Sequence, residues 1–165
     1  MTDTEFEIRD ARPDEYEAAG ELCVLAYAAL DGETDLGYFG ELRDVAARAA
    51  VVPVLVAVDP DGTLLGTVTY IPGPGPYAES EIENEAGFQM LAVAPWAQNR
   101  GIGRALVESC IARAQLEGRG SIAILTRPSM VNAHSLYQSL GFARASEDDW
   151  EFEPGESLWG YRLPL

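Results

Sequence analysis

The chain contains no lysine: all 11 basic residues are arginine, against 27 acidic residues and a net charge of −16. Such acidity disfavours nucleic acid and anionic membranes as partners, since both are held chiefly by clustered basic side chains. It suits a cationic partner, and equally a surface that is merely solubilising. The missing lysine also excludes a Walker A phosphate loop, which needs Gly-Lys-Ser/Thr. Cysteine is scarce too. Cys23 and Cys110 make neither a disulfide framework nor a metal quartet, and both stand among apolar neighbours at helical spacing, so they are expected as buried thiols. The one histidine, His134, is expected on an exposed helix face. No metal-ligand cluster is visible, and none is expected to be needed. No apolar run approaches the length that spans a bilayer. The N-terminal MTDTEFEIRD is acidic and lacks the apolar stretch of a secretory signal, so a cytoplasmic location is expected.

What is present suits a packed core. With 165 residues, 47% hydrophobic and 23% charged, the chain has the size and balance of one domain, residues 1–165. Phe6 to Arg9 reads as a strand, and Pro13 suits a first helical turn. Ala19, Leu22, Cys23, Ala26 and Leu30 follow at helical spacing, closed by Asp31-Gly32. A second, weaker helix is expected from Tyr38 to about Ala50, with Phe39, Leu42, Val45, Ala46 and Ala49 on one side. Val54–Val58 and Leu64–Ile71 form a hairpin about the turn Asp59-Pro60-Asp61-Gly62. The proline run from Pro72 to Pro76 stops it, and Glu79 to Glu85 is expected as a mobile acidic loop.

Phe88–Val93 reads as a central strand, and Gly101 to about Glu117 as a helix with Ile102, Leu106, Cys110 and Ala114 on one stripe. Ser121–Thr126 is the next strand, and Ala133, Leu136, Tyr137 and Leu140 mark another helix. Phe142–Ala145 and Leu158–Leu163 are closing strands, with an acidic stretch, Glu147–Glu156, between them. The order β-α-α-β-β-β-α-β-α-β-β predicts a mixed α/β fold. Its sheet is expected to be mostly antiparallel, with helices on both faces.

The segment with chemical content is Met90-Leu-Ala-Val-Ala-Pro-Trp-Ala-Gln-Asn-Arg-Gly-Ile-Gly-Arg104. A strand runs into a glycine-bearing loop that opens straight into a helix. The first N–H groups of a helix lack intrahelical partners, and the helix dipole adds positive character there. That geometry suits a phosphate or pyrophosphate. Gly101 and Gly103 remove Cβ atoms from the approach, and Arg100 and Arg104 add charge. The dinucleotide fingerprint fails, because its third small residue falls on Leu106.

Gln98-x-x-Gly101-x-Gly103 after Leu91-Ala-Val-x-Pro95 resembles the acyl-CoA pyrophosphate motif of the GNAT superfamily of N-acetyltransferases. Asn132-Ala-His-Ser-Leu-Tyr137-Gln-Ser-Leu-Gly-Phe142 is similar to that family's second signature. The resemblance is specific over residues 88 to 142. It implies a GNAT-like fold, acetyl-CoA as acyl donor, an amine acceptor (cationic ones among them) and no metal. It implies that backbone groups of Leu91, Ala92 and Val93 pair with the pantetheine arm, and that amides of Gln98, Asn99, Arg100, Gly101, Ile102, Gly103 and Arg104 hold the pyrophosphate. Tyr137 matches the tyrosine that can protonate the departing thiolate, though an aromatic at that spacing also fits a packed core. Asn132 matches a cofactor contact and is equally a candidate helix N-cap.

The resemblance also implies a glutamate base at the start of the central strand, near Gly87, and glycine cannot serve. Glu85, two residues earlier and on the same side of a strand, is the first substitute, with Glu83, Asp148 and Asp149 further options. The absent carboxylate keeps a second reading alive, a non-catalytic acyl-CoA-binding regulatory domain. The chain is expected as a monomer or homodimer. Trp150, Trp159 and Tyr161 would pack either across a dimer or in the core.

Overall fold

The computed structural model describes residues 5–31, 36–78, 80 and 82–165. Gly32, Glu79 and Glu81 lie outside these residues, as do the side chains of Leu30, Tyr38 and Phe39. Strand pairing is mostly antiparallel, with helices connecting the strands, so the mixed α/β expectation holds. The chain divides into two compact units, Met1–Tyr70 with Met90–Cys110 and Ile71–Gln89 with Ile111–Leu165.

In the first unit β1 (Glu7–Asp10), β2 (Val54–Val58) and β3 (Leu64–Ile71, all but its last residue) pair antiparallel in sequence order. Every residue of β2 and β3 is buried, which is why both read as unbroken apolar or small-residue runs. Their turn forms as expected: the Asp59 carboxylate accepts from the amides of Asp61 and Thr63, both at 2.9 Å. Helix α1 (Tyr16–Asp31) buries Ala19, Leu22, Cys23 and Ala26, the stripe its spacing predicts. Burial pushes the Cys23 thiol up to about 11, against the opposing charge and hydrogen bond of Arg48, so it stays protonated at neutral pH.

The expected second helix is two: α2 (Leu36–Arg43) and α3 (Val45–Ala49). Asp44 breaks it. Its backbone leaves the helical region and its side chain accepts from Ala47 N–H at 3.2 Å, capping α3. Arg48 then stands buried and donates to the carbonyls of Glu41 and Leu42 and to Thr69 Oγ1. A guanidinium at the last carbonyls of α2 answers the negative end of that helix.

The second unit contains β5 (Ser121–Thr126), α5 (Val131–Ser139), β6 (Ala143–Arg144), β7 (Trp150–Glu153) and β8 (Glu156–Pro164). β5 and β6 both pair antiparallel with β8, as does β7. Strand β7 is an addition, since its segment is expected only as an acidic stretch between the closing strands. Trp-Glu-Phe-Glu alternates with a period of two, and the Pro154-Gly155 turn leads into β8, so a strand signal lay under the charge.

Two long elements pass through both units. β4 (Glu85–Val93) crosses after Gln89, and α4 (Ile102–Leu116) crosses after Cys110. On α4 the residues Ile102, Leu106, Val107, Cys110 and Ala114 are buried, as the apolar stripe requires. No described helix is long and apolar enough to cross a membrane.

Candidate functional site

The loop after β4 is built from main-chain groups. Pro95–Ala97 makes one 3-10 turn, and Gln98 Nε2 donates back to Val93 O at 3.1 Å, tying the loop to its strand. Asn99 and Gly101 then take positive φ, +62° and +78°, on either side of Arg100. Such a reversal turns successive amides toward one side, and asparagine and glycine are the residues that adopt it most readily. The first intrahelical bond of α4 runs from Ala105 N–H to Gly101 O at 3.0 Å, so the amides of Ile102 and Gly103 precede it. Nothing lies within 4 Å of where a Cβ on Gly101 would sit, so the loop is open at its helix mouth. Within 98–104 there are two arginines and no acid. Arg104 Nε lies 3.8 Å from Glu108, which shares its charge. Residues 98–104 thus form a glycine-bearing loop that opens straight into α4.

Leu91 and Val93 are half-buried and Ala92 buried, all in regular strand. Just before them Met90 has φ +55°. For a non-glycine residue inside a strand this is uncommon, and it marks a local departure from extended backbone within β4. Nothing in the amino-acid pattern marks it. Within the second unit β4 pairs parallel with β5 only at Glu85↔Ser121 and Ala86↔Ile122, while β5 pairs with β8 out to Thr126↔Trp159.

Gly87 is where the strands remain too close for a side chain. A Cβ there would stand 2.8 Å from Ala123 O. A carboxylate, which the resemblance implies near this position, has no room at Gly87. Glu85 is not in a loop but opens β4, and it is only 4% exposed. Arg162 Nε donates to its Oε2 at 2.9 Å, Ser121 Oγ to Oε2 at 2.7 Å and Ser80 Oγ to Oε1 at 2.6 Å. Burial alone would raise this carboxyl. Arg162 and the two hydroxyls outweigh it and hold the group below the usual carboxylate range. Arg162 also meets Asp148 at 3.1 Å and Glu147 at 3.7 Å. Glu85, Ser80, Gly87 and Ala123 line a small, partly open depression, with Ile71, Ala78 and Ala86 completing it.

Tyr137 is buried on α5 within an aromatic cluster. Its ring centroid lies 5.7 Å from Phe88, 5.8 Å from Phe142 and 6.2 Å from Tyr161. His134 is buried too, contrary to the exposed face expected of it. It stacks on Trp159 at 5.6 Å, and its Nε2 lies 2.9 Å from Arg127 O. The aromatic residues that cover it come from β8, more than a helix away in sequence. Asn132 is exposed and is not the N-cap of α5. Met130 holds that position, which puts Asn132 inside the first turn. Asp149 is clamped by both terminal nitrogens of Arg144 at 2.6 Å and accepts from Gly160 N–H at 2.9 Å. Glu83 is exposed. Tyr161 belongs to the core, Trp159 is half-buried and Trp150 is exposed. Among the described residues no group of three or more His, Cys, Asp or Glu side chains is placed to hold a metal.

The model of the acetyltransferase (GNAT) family matches residues 8–142. Mycothiol acetyltransferase of Renibacterium salmoninarum is 32% identical over 151 residues, which is 88% of this chain and 43% of the relative. The chain therefore spans under half the length of that protein. A GCN5-related N-acetyltransferase from Kribbella flavida, 28% identical, superposes with a TM-score of 0.69 over 97% of this chain and 98% of its own. The PaiA N-acetyltransferase of Thermoplasma acidophilum, solved in complex with coenzyme A, shares the fold. Its TM-score is 0.74 at 16% identity, over 98% of this chain and 99% of its own.

Proposed function

Because the chain belongs to the GNAT acetyltransferase family, we propose that it moves an acetyl group from acetyl-CoA to a primary amine of a small molecule or protein, directly in a ternary complex. The observation that carries this reading is the loop of residues 98–104, with reversed φ at Asn99 and Gly101 at the mouth of α4. Its amides suit the pyrophosphate of coenzyme A, with Arg100 and Arg104 supplying charge that the rest of this acidic chain withholds. Leu91, Ala92 and Val93 offer strand N–H and C=O groups to the pantetheine amides. Asn132, exposed in the first turn of α5, is a further contact in this reading.

In the reaction a neutral amine attacks the thioester carbonyl, a C–N bond forms, and the C–S pair leaves on sulfur. The Tyr137 hydroxyl protonates that thiolate and regains a proton released by the amine. Glu85 completes the proposal. Its donors hold it ionised with a lowered proton affinity. That suits a fixed anion facing an ammonium better than a direct proton acceptor, and the amine then loses its proton to water. Cytoplasmic action as a monomer or homodimer belongs to the same reading, with neither nucleic acid nor membrane as partner.

The second reading, an acyl-CoA-binding regulator without turnover, is favoured by Gly87, where a carboxylate has no room. Thiol release from acetyl-CoA, measured across a panel of amines, separates the two. Amine-dependent release that falls about 100-fold in Tyr137→Phe supports the enzyme. Tight acetyl-CoA binding with release indifferent to every amine supports the regulator.

A further inference from the structure

The buried carboxylate of Glu85 is reached by an arginine from two strands away, and the strand between them is shaped to let it pass. Glu85 lies opposite Ser121 in the parallel pairing of β4 with β5, and Ala123 lies opposite Arg162 in the antiparallel pairing of β5 with β8. Residues two apart on a strand share a face, so Glu85, Gly87, Ser121, Ala123 and Arg162 lie on one side of the sheet. The larger Ile122 and Ile124 of β5 are buried on the other side. Two strand spacings, roughly 10 Å, separate β8 from β4. Serine and alanine at 121 and 123 leave the guanidinium room to cross that distance. Arg162 Nε then donates to Glu85 Oε2 at 2.9 Å, with Nη2 3.4 Å from Oε1.

The far side of the guanidinium is held as well. Asp148 and Glu147, from the turn Ser146–Asp148, stand 3.1 and 3.7 Å from its terminal nitrogens. Asp148 comes this close because residue 160 is glycine: a Cβ there would lie 2.7 Å from the Asp148 Cβ. Arg162 is thus fixed on both sides. With Ser121 and Ser80 it fixes both oxygens of Glu85 at the wall of the depression that Gly87 and Ala123 share.

We propose that Arg162 is a positioning residue for the acceptor amine: it holds the Glu85 carboxylate in place, and Glu85 draws the ammonium end of the acceptor to the depression beside Gly87. This rests on the acetyl-transfer reading above. Without the guanidinium, burial would act on Glu85 opposed by two hydroxyls alone, and the carboxyl would bind its proton more tightly. It would then carry its charge only at higher pH. Arg162 therefore sets the pH range over which the acceptor is attracted.

The test is steady-state thiol release from acetyl-CoA by the full chain, with the best acceptor of the amine panel, between about pH 6 and pH 9. Wild type is compared with R162K, R162M and E85Q at each pH, which cancels the titration of the amine itself. Lysine keeps the charge and a donor at 162, so R162K should stay within about threefold of the wild-type KM for the amine. R162M should raise that KM at least about tenfold near pH 6 and recover toward wild type as pH rises, with kcat moving less than KM. E85Q should raise the KM at every pH and show no recovery. Damage to packing alone would lower activity without a pH-dependent KM that E85Q abolishes. Far-UV circular dichroism checks the fold, and if R162M does not fold, E85Q and R162K carry the test. An E85Q variant with an unchanged KM for the amine overturns the proposal, as does an R162M deficit that is the same at every pH. Absence of amine-dependent release in the wild type is a different result: it removes the acetyl-transfer reading and this proposal with it.

Discussion

The two ends of β4 manage negative charge in opposite ways. After its C-terminal end the loop of residues 98–104 offers backbone amides, reversed dihedrals and open space at Gly101, with Arg104 near Glu108. At its N-terminal end Glu85 is itself the negative charge. It is buried and held by an arginine 77 residues away and by two serine hydroxyls. A backbone cradle depends on local conformation and glycine. A buried carboxylate depends on distant partners that must all arrive, because either charge left alone in the interior is costly.

The sharpest break in that comparison is Arg162→Ala. It strands a buried carboxylate and should destabilise the fold by about 3 kcal/mol, read from urea unfolding. Adding Glu85→Gln should recover most of the loss. An unchanged midpoint in Arg162→Ala would mean that the pair contributes nothing to folding. At the other end, Gly101→Asp should leave the fold intact and lower acetyl-CoA affinity about 100-fold by calorimetry. The space around Gly101 is open, so this loss comes from charge and from φ +78°, not from a clash. Gly101→Ala isolates the backbone part at about 1 kcal/mol.

Gly87→Ala tests the close approach of the strands. Its Cβ at 2.8 Å from Ala123 O should cost about 2 kcal/mol, measured as a shift in urea midpoint. The smallest effect is in acid. Glu85 lies below the ordinary carboxylate range, and the Arg9 hydrogen bonds take Glu15 in the first unit down to about 2. A depressed carboxyl contributes stability that is complete above its unfolded value and is lost as pH falls through its folded one. Stability should therefore decline from the ordinary carboxylate range toward about pH 2, and Glu15→Gln should flatten that decline. A slope unchanged in the variant would remove Glu15 from the account.

Much of the fold was readable along the chain. The hairpin Val54–Ile71, the buried stripe of α4 and both buried cysteines follow from periodicity and turn chemistry. The glycine loop was readable for the same reason. What escaped falls into two kinds. Asp44 and Trp150–Glu153 carried signals, a capping aspartate and an alternating run, that composition obscured. His134, Glu85 and Met90 carried none: a histidine beneath Trp159, a glutamate against Arg162 and a methionine with reversed φ are set by what packs around them.

The amino-acid sequence by itself determined most of the element types, the family and the glycine-bearing loop before α4, because each rests on neighbours a few residues apart whose backbone preferences are local. Only the tertiary structure decided that Gly87 has no room for a carboxylate, that Glu85 is buried as an anion and that β7 pairs with β8. The first two depend on segments far apart in the chain, and on a balance of burial against charge that does not exist until they meet.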